Sequence, residues 1–418
     1  VGFSYCDGRP SGNGTSCGDW DDERMADTMY AALRGWYEIF PERQGKPLYI
    51  TGESYAGVYV PKLVQRILDE KTEALRPMLR GFAVGDGCMG SESGICGDGL
   101  GPWWQVVFLY GHGQISTLLF DRITATCGMD YLKKGTVPPP PGCHDALGQV
   151  ANEVGGYFAY GLYDDCIYQE GLRSRASPVS QSGEVGGIRY QSRAALTPRV
   201  ARMLGFVEED RVSPATREGV TGAVNDYPCG GGDAQTVWTD SIAVRKALGV
   251  PVDSLFFNGD NGEGMIYRST EKDLVSFYAR VGRTTSLRVL VYNGDTDPAI
   301  NSFQAQNWTS SLGFNLTSPW RPWTIDGCRR MGGYVTRYGD QRLDYLTIRG
   351  SGHMVPQMKP AAAYEFMRTW VAGEEYKPYV KDCKKPPVIQ RKEALFTVPA
   401  AAGGRGVVRP SVRTFQSS

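Results

Sequence analysis

Ile50-Thr51-Gly52-Glu53-Ser54-Tyr55-Ala56-Gly57-Val58-Tyr59-Val60-Pro61 is the stretch whose reading decides the fold. Residues 47–51 before the serine are short and apolar, like a buried strand, and Val58 to Glu70 after it carries a helical period. Ser54 therefore falls at a strand-to-helix turn. In such an elbow the chain reverses sharply, glycines supply the room, and the serine Oγ stands clear of the sheet beside the helix N-terminus. One departure is visible: Ala56 stands where the usual G-x-S-x-G string has its second glycine, which here slips to Gly57.

Working outward, Val1 to Tyr5 reads as the end of a strand, and Cys6 to Gly18 as a loop. From Asp19 onward, Met25, Met29, Leu33, Trp36, Tyr37 and Phe40 recur at intervals of three and four, one face of a helix that Pro41 ends. Met78 to Val84 predicts a second strand closing on the turn Gly85-Asp86-Gly87. Strand, helix, strand with a serine at the crossover is a parallel βαβ unit, so residues 1–89 form the first part of an α/β core. From Cys88 to about Pro228 the apolar periodicity becomes irregular and prolines cluster at Pro138 to Pro141. An insertion on the C-terminal side of a sheet is where α/β enzymes place substrate-selecting caps, and 90–228 is expected to be one. Within it, 173–199 is rich in Arg, Ser and Gly, which predicts an exposed loop open to maturation cleavage.

The core resumes over 229–380, with a helix near Ser241 to Leu248. A strand at Leu287 to Tyr292 leads into Asn293-Gly294-Asp295-Thr296-Asp297-Pro298. Another at Tyr345 to Ile348 leads into Arg349-Gly350-Ser351-Gly352-His353-Met354-Val355-Pro356, followed by an alanine-rich helix from Ala361 to Val371. Residues 381–418, of Lys/Pro then Ala/Gly/Arg composition, read as a disordered tail. The fold class is α/β, with a mostly parallel central sheet, helices on both faces and an inserted cap.

Lys+Arg and Asp+Glu number 45 each in 418 residues, a balance that gives no electrostatic reason to expect nucleic acid or a membrane surface as partner. The ten cysteines are scattered without a CxxC pair and there are three histidines, so disulfides in an oxidising compartment are expected rather than zinc. Sequons at Asn13, Asn307 and Asn315 agree with a secreted glycoprotein. No cofactor or metal is expected.

Three strands thus each end in a loop holding one reactive side chain, in the order Ser54, Asp297, His353. That order is the one expected of an α/β-hydrolase, and parallel strands put their C-terminal loops on one side of the sheet. Ser54 would attack a carbonyl carbon, His353 would take its proton and pass it to the leaving group, and Asp297 would orient the imidazole. Scarcity favours His353, because His112 sits between glycines in an apolar stretch and His144 in a proline-rich loop. Asp295 is the alternative acid in the same turn; Asp297 lies later in it, where it can turn back toward His353.

The string ITGESYAGVYVP, the turn VYNGDTDPAI, the loop SGHMVPQMKP and the opening VGFSY resemble the serine carboxypeptidase family, a branch of the α/β-hydrolases, from Val1 to about Gly373. The resemblance implies Ser54 as nucleophile, Asp297 as acid, His353 as base and the Tyr55 backbone N–H as an oxyanion donor. It implies that Glu53 binds the C-terminal carboxylate of the peptide substrate. Two carboxyl groups can hydrogen-bond only if one proton is shared, which favours acidic pH. The expected activity is release of single residues from peptide or protein C-termini through an acyl-enzyme, in the secretory pathway, at a vacuolar, lysosomal or extracellular site. A homodimer is left open. An acyltransferase on the same scaffold is the first alternative, disfavoured because family members of that kind carry Asp in place of this Glu; a non-catalytic binding homologue is the second.

Family members also carry, upstream of VGFSY, several strands and a glycine-rich Asn-Gly-Gly-Pro-Gly-Cys-Ser-Ser segment. That segment supplies a second oxyanion donor, part of the carboxylate site and a disulfide cysteine. None of it is in these 418 residues, so a chain lacking its N-terminal part is expected, with an open sheet edge and an open question as to its activity alone.

Overall fold

The computed structural model describes residues 20–72, 77–93, 95–96, 101–135, 138–157, 160–163, 203, 238, 241–249, 252, 267–339 and 342–383. Its central sheet has six strands. They are β2 (Leu48–Glu53), β3 (Leu79–Gly85), β5 (Arg288–Gly294), β6 (Leu316–Thr324), β7 (Met331–Tyr338) and β8 (Leu343–Ile348), in the order β2-β3-β5-β8-β7-β6. The first four run parallel and the last two add antiparallel, so the sheet is mostly parallel, as the sequence predicts. A separate two-stranded sheet pairs β1 (Trp20–Asp21) with β4 (Tyr267–Arg268).

The central strands read as near-continuous apolar runs because both faces are covered. Alternate residues serve opposite cores. Phe82, Val84, Val289, Val291 and Tyr345 face one cluster, with helix α2 (Ala56–Leu68) and the helices Val275–Thr284 and Ser302–Ser311. Ala83, Leu290, Tyr292, Leu346 and Ile348 face the other, with Phe366 and Trp370 of the helix Pro360–Ala372. This two-residue alternation between cores is the pleat itself. Strand, α2, strand gives the predicted parallel unit, with β2 at one end of the sheet.

Helix α1 (Asp22–Ile39) begins where Asp21 accepts a hydrogen bond from the Arg24 amide at 2.7 Å. The stripe it buries differs from the predicted one. Asp22, Met25, Ala26 and Tyr30 are buried, Tyr30 packing with Leu63 and Ile67 of α2, while Met29, Trp36 and Phe40 stay exposed. The antiparallel pair β6–β7 has no counterpart in the strands predicted from the sequence.

Within the expected cap, α3 (Trp103–Gly111), α4 (Thr117–Cys127), α5 (Met129–Lys134) and α6 (Cys143–Val154) share an apolar cluster of their own, and Cys127–Cys143 ties α4 to α6. Cys88–Cys96 and Cys328–Cys383 are also bonded, so Cys383, assigned to the tail, is fastened to the core. Cys6, Cys17, Cys166, Cys229, the predicted loop 173–199, the sequon at Asn13 and residues 384–418 lie outside the described residues. Among the described residues no helix is long and apolar enough to cross a membrane.

Candidate active site

Ser54 directly follows the last residue of β2 and carries φ +67°, in the left-handed region where a non-glycine residue is held only by its surroundings. Those surroundings are main-chain contacts. Its amide donates to Gly85 O at 2.9 Å, and its carbonyl accepts from Gly57 N at 2.8 Å and Cys88 N at 3.0 Å. The displaced glycine has a steric cause. A Cβ on Gly57 would stand 2.3 Å from the Cys88 carbonyl, whereas Ala56 is accommodated because Gly52 opposite it has no side chain. Tyr55 precedes the first residue of α2, so its amide lies at a helix start, where N–H groups have no carbonyl four residues back. Its hydroxyl donates to Asp22 Oδ1 at 3.0 Å. Asp22, fully buried, also accepts from Tyr267 Oη and from the amides of Thr270 and Glu271, each at 2.7 Å. This carboxylate ties α1 and residues 267–271 to the elbow, and burial raises the Tyr55 phenol above its ordinary value.

Asp297 and His353 follow β5 and β8, neighbours in the sheet. Their loops are laced together: Thr296 N donates to Ser351 O at 2.9 Å, and Gly350 N to Asp295 Oδ1 at 2.6 Å. A Cβ on Gly294 would lie 2.1 Å from Gly352 O, so only glycine permits this approach. Asp295 thus braces the histidine loop, and Asp297 meets the imidazole: His353 Nδ1 stands 2.8 Å from Asp297 Oδ2, with both side chains buried. The other oxygen, Oδ1, accepts the Ala299 amide at 2.8 Å. Beyond the sheet, Tyr160 O accepts the His353 amide at 2.8 Å, its ring centroid lies 5.0 Å from the imidazole, and Leu162 N donates to Thr296 O at 2.9 Å. Residues 160–162, within the expected cap, pack directly on both loops. His112 instead ends α3 and bonds the Phe108 carbonyl at 2.8 Å, and His144 lies on α6.

Glu53, next to the serine, reaches across to the histidine loop, its Oε2 accepting the Val355 amide at 3.1 Å. Burial pushes its carboxyl up to about 7, against the opposing pull of His353 and the Val355 hydrogen bond. Sequence reading missed Asp86, the residue after β3. It has φ +41°, is fully buried, and accepts from Gly294 N at 3.0 Å and Asn293 Nδ2 at 3.2 Å. Burial, together with the charges of Asp297 and Glu53, pushes its carboxyl well above the usual range. The available signal was an acid between two glycines at the end of a buried strand adjoining that of Ser54.

Asp86, Asp297 and His353 offer ligand atoms within 4.8 Å of one another, a spacing that could hold a cation. The 2.8 Å separation of Nδ1 and Oδ2 is that of a hydrogen bond, which puts a proton between them.

A mostly parallel sheet with helices on both faces, a serine elbow after one strand, and an acid and a histidine after two later strands define an α/β-hydrolase. The serine carboxypeptidase profile matches residues 1–373, and the chain belongs to that family. It is similar to serine carboxypeptidase 1 of Hordeum vulgare, 27% identical over 373 residues that cover 85% of this chain and 69% of that protein. It is also similar to the lysosomal protective protein of Mus musculus, 28% identical over 383 residues, 90% of this chain and 73% of that protein. Among solved structures, Kex1, a prohormone-processing carboxypeptidase from Saccharomyces cerevisiae, shares the fold with a TM-score of 0.50 at 15% identity, over 85% of this chain and 68% of that one.

Proposed function

We propose that the chain is a serine-type carboxypeptidase that hydrolyses the last peptide bond of peptides and proteins. The observation that carries this reading is the buried His353–Asp297 hydrogen bond on the same sheet edge as Ser54. Ser54 Oγ bonds to the carbonyl carbon while its proton passes to His353 Nε2. His353 then gives that proton to the leaving nitrogen, the C–N bond breaks, and the terminal residue departs. Water repeats the sequence on the acyl-enzyme, with His353 as base, leaving a new carboxylate and free Ser54. Asp297 accepts a hydrogen bond from Nδ1–H, which fixes the tautomer that leaves Nε2 basic, and it stabilises the imidazolium. The Tyr55 amide at the helix start supplies a donor to the oxyanion.

Glu53 gives the reaction its preference for chain ends. In its neutral form, predominant below about pH 7, it donates a hydrogen bond to the substrate's terminal carboxylate. Residues 1–89 and 229–380 act as the catalytic core and 90–228 as a cap bearing on substrate choice, a division supported by the separate apolar cluster of α3 to α6. The three disulfides among the described residues and the exposed Asn307 and Asn315 sequons support a secretory-pathway protein, and the lysosomal relative favours an acidic compartment.

The test is residue release from an N-blocked dipeptide at acidic and neutral pH, beside transfer from an activated acyl ester, in the full-length protein. Release that is fastest at acidic pH supports the reading. Transfer without release at any pH makes the protein an acyltransferase.

A further inference from the structure

The proposed reaction uses two carboxyls of this edge, Glu53 and Asp297, and leaves a third without a task. Asp86 is fully buried after β3, between the strands that carry Ser54 and Asp297. One oxygen of its carboxyl lies within 4.8 Å of a carboxylate oxygen of Asp297 and of a ring nitrogen of His353. Two main-chain and side-chain N–H donors, Gly294 N and Asn293 Nδ2, hold its Oδ1 in place, and Gly294 N also lies 3.2 Å from Oδ2. Two carboxylates this close in a buried site cannot both be ionised without strong repulsion, and the pair is relieved when it keeps one proton.

We propose that Asp86 is a positioning residue for the Asp297–His353 pair: its neutral carboxyl donates a hydrogen bond to Asp297, so the two carboxyls together present one negative charge to the imidazole. The inference rests on the assignment of Asp297 and His353 as acid and base. The direction in which burial drives Asp86 agrees with it. The titratable groups acting on this position from the surrounding elements are Glu53 on β2, Tyr292 on β5, Tyr345 on β8 and the two partners Asp297 and His353. Three of these are carboxyl or phenol groups on packed strands, whose negative forms all oppose ionisation of Asp86. By Coulomb's law the proton belongs on the carboxyl farther from the imidazolium, which is Asp86, since Asp297 holds Nδ1 directly.

Asp86→Asn replaces the neutral acid with a neutral amide of the same shape that can still donate to Asp297 and accept from Gly294. Asp86→Ala removes the donor and leaves Asp297 with an unfilled partner in a buried site. The expected result is that kcat drops on the order of 10- to 100-fold in Asp86→Ala, with KM little changed, because Asp297 and the imidazole lose their alignment. Asp86→Asn recovers most of that loss, and the acid limb of its kcat–pH profile stays where the wild type has it, because the net charge facing His353 is the same. Were Asp86 an anion, Asp86→Asn would delete a negative charge beside the imidazole and move that limb down by about one pH unit or more. Such a move, or an Asp86→Asn variant as impaired as Asp86→Ala, overturns the proposal.

A second readout is independent of catalysis. The infrared difference spectrum of wild type minus Asp86→Asn, recorded at pH 8, must contain the C=O stretch of a protonated carboxylic acid. A difference spectrum showing only carboxylate bands overturns the proposal even if the rates agree, as does a stoichiometric divalent cation found in the purified protein by elemental mass spectrometry. If Ser54 proved unreactive, the functional reading would fall while the infrared band would still report the state of Asp86.

Discussion

The loop edge of the sheet and the helical cluster of α3 to α6 are both buried, but they are held by different forces. At the edge, the buried groups are Asp86, Asp297, Ser351 and His353, fixed by hydrogen bonds between loops that only glycines allow to approach so closely. In the cluster they are Val106, Phe108, Leu109, Ile123, Leu132, Leu147 and Val150, held by apolar packing and one disulfide. The first arrangement fixes atoms to within a hydrogen bond and places charges that cost stability. The second contributes stability in proportion to area and methyl groups and tolerates reshaping. Substitutions at the edge should therefore be read in rates and pH profiles, and those in the cluster in stability.

The largest expected effect is at Asp297. Asp297→Asn keeps the shape but turns a donor toward Nδ1 in place of the acceptor of the Nδ1–H hydrogen bond, and kcat should fall on the order of 10⁴-fold, as tautomer-reversing changes do in such triads. A loss below about tenfold would return Asp295 to contention as the acid. Glu53→Gln comes next. In the wild type, kcat/KM on a peptide with a free carboxylate should fall about tenfold per pH unit above pH 7, as Glu53 loses its proton. The amide donates at every pH, so the variant's profile should be flat there, and a limb near pH 7 that survives in Glu53→Gln removes Glu53 from carboxylate binding.

The same residue has a stability signature. Its folded-state value lies above the ordinary 4.5, so the stability it contributes is complete below about pH 4.5 and is lost as pH rises to about 7. Chemical denaturation should accordingly show Glu53→Gln gaining on the wild type across that window, by an amount on the order of 3 kcal/mol at its end.

The smallest rate effect is expected in the cluster. Leu147→Ala opens a cavity among α3 to α6 and should cost about 2–5 kcal/mol in denaturant titration, while kcat on a small blocked dipeptide stays at the wild-type level. A drop in kcat as large as that of Asp297→Asn would mean that the two regions are not separable in this way.

The same contrast governs what could be read from sequence. The candidate site residues Ser54, Asp297 and His353 were legible because each follows an apolar run and sits in a glycine-punctuated loop, and chain order suits the proposed roles of nucleophile, acid and base. Asp86 was not, because Gly-Asp-Gly reads as an ordinary turn. Only the strand order, with β3 between β2 and β5, puts it against Asp297. Asp22 was passed over for a related reason: its partners Tyr55, Tyr267, Thr270 and Glu271 are brought together by tertiary structure. The pair β6–β7 escaped because Pro319 and Pro322 break the pattern of an edge strand and Gly332 and Gly333 that of its neighbour. On α1, a stripe chosen by hydrophobicity alone took in the buried Met25 and the half-buried Leu33 but also Met29, Trp36 and Phe40, which stay exposed, whereas the apolar contact with α2 is made by Tyr30 with Leu33 beside it.

The most direct test of the central claim, that Ser54 is activated by His353 and Asp297 at one sheet edge, is labelling of the full-length protein with a fluorophosphonate followed by peptide mapping. A single adduct on Ser54, abolished in His353→Ala and strongly slowed in Asp297→Asn, is the predicted result. A folded protein that takes no label, or takes it on another serine, would contradict the account.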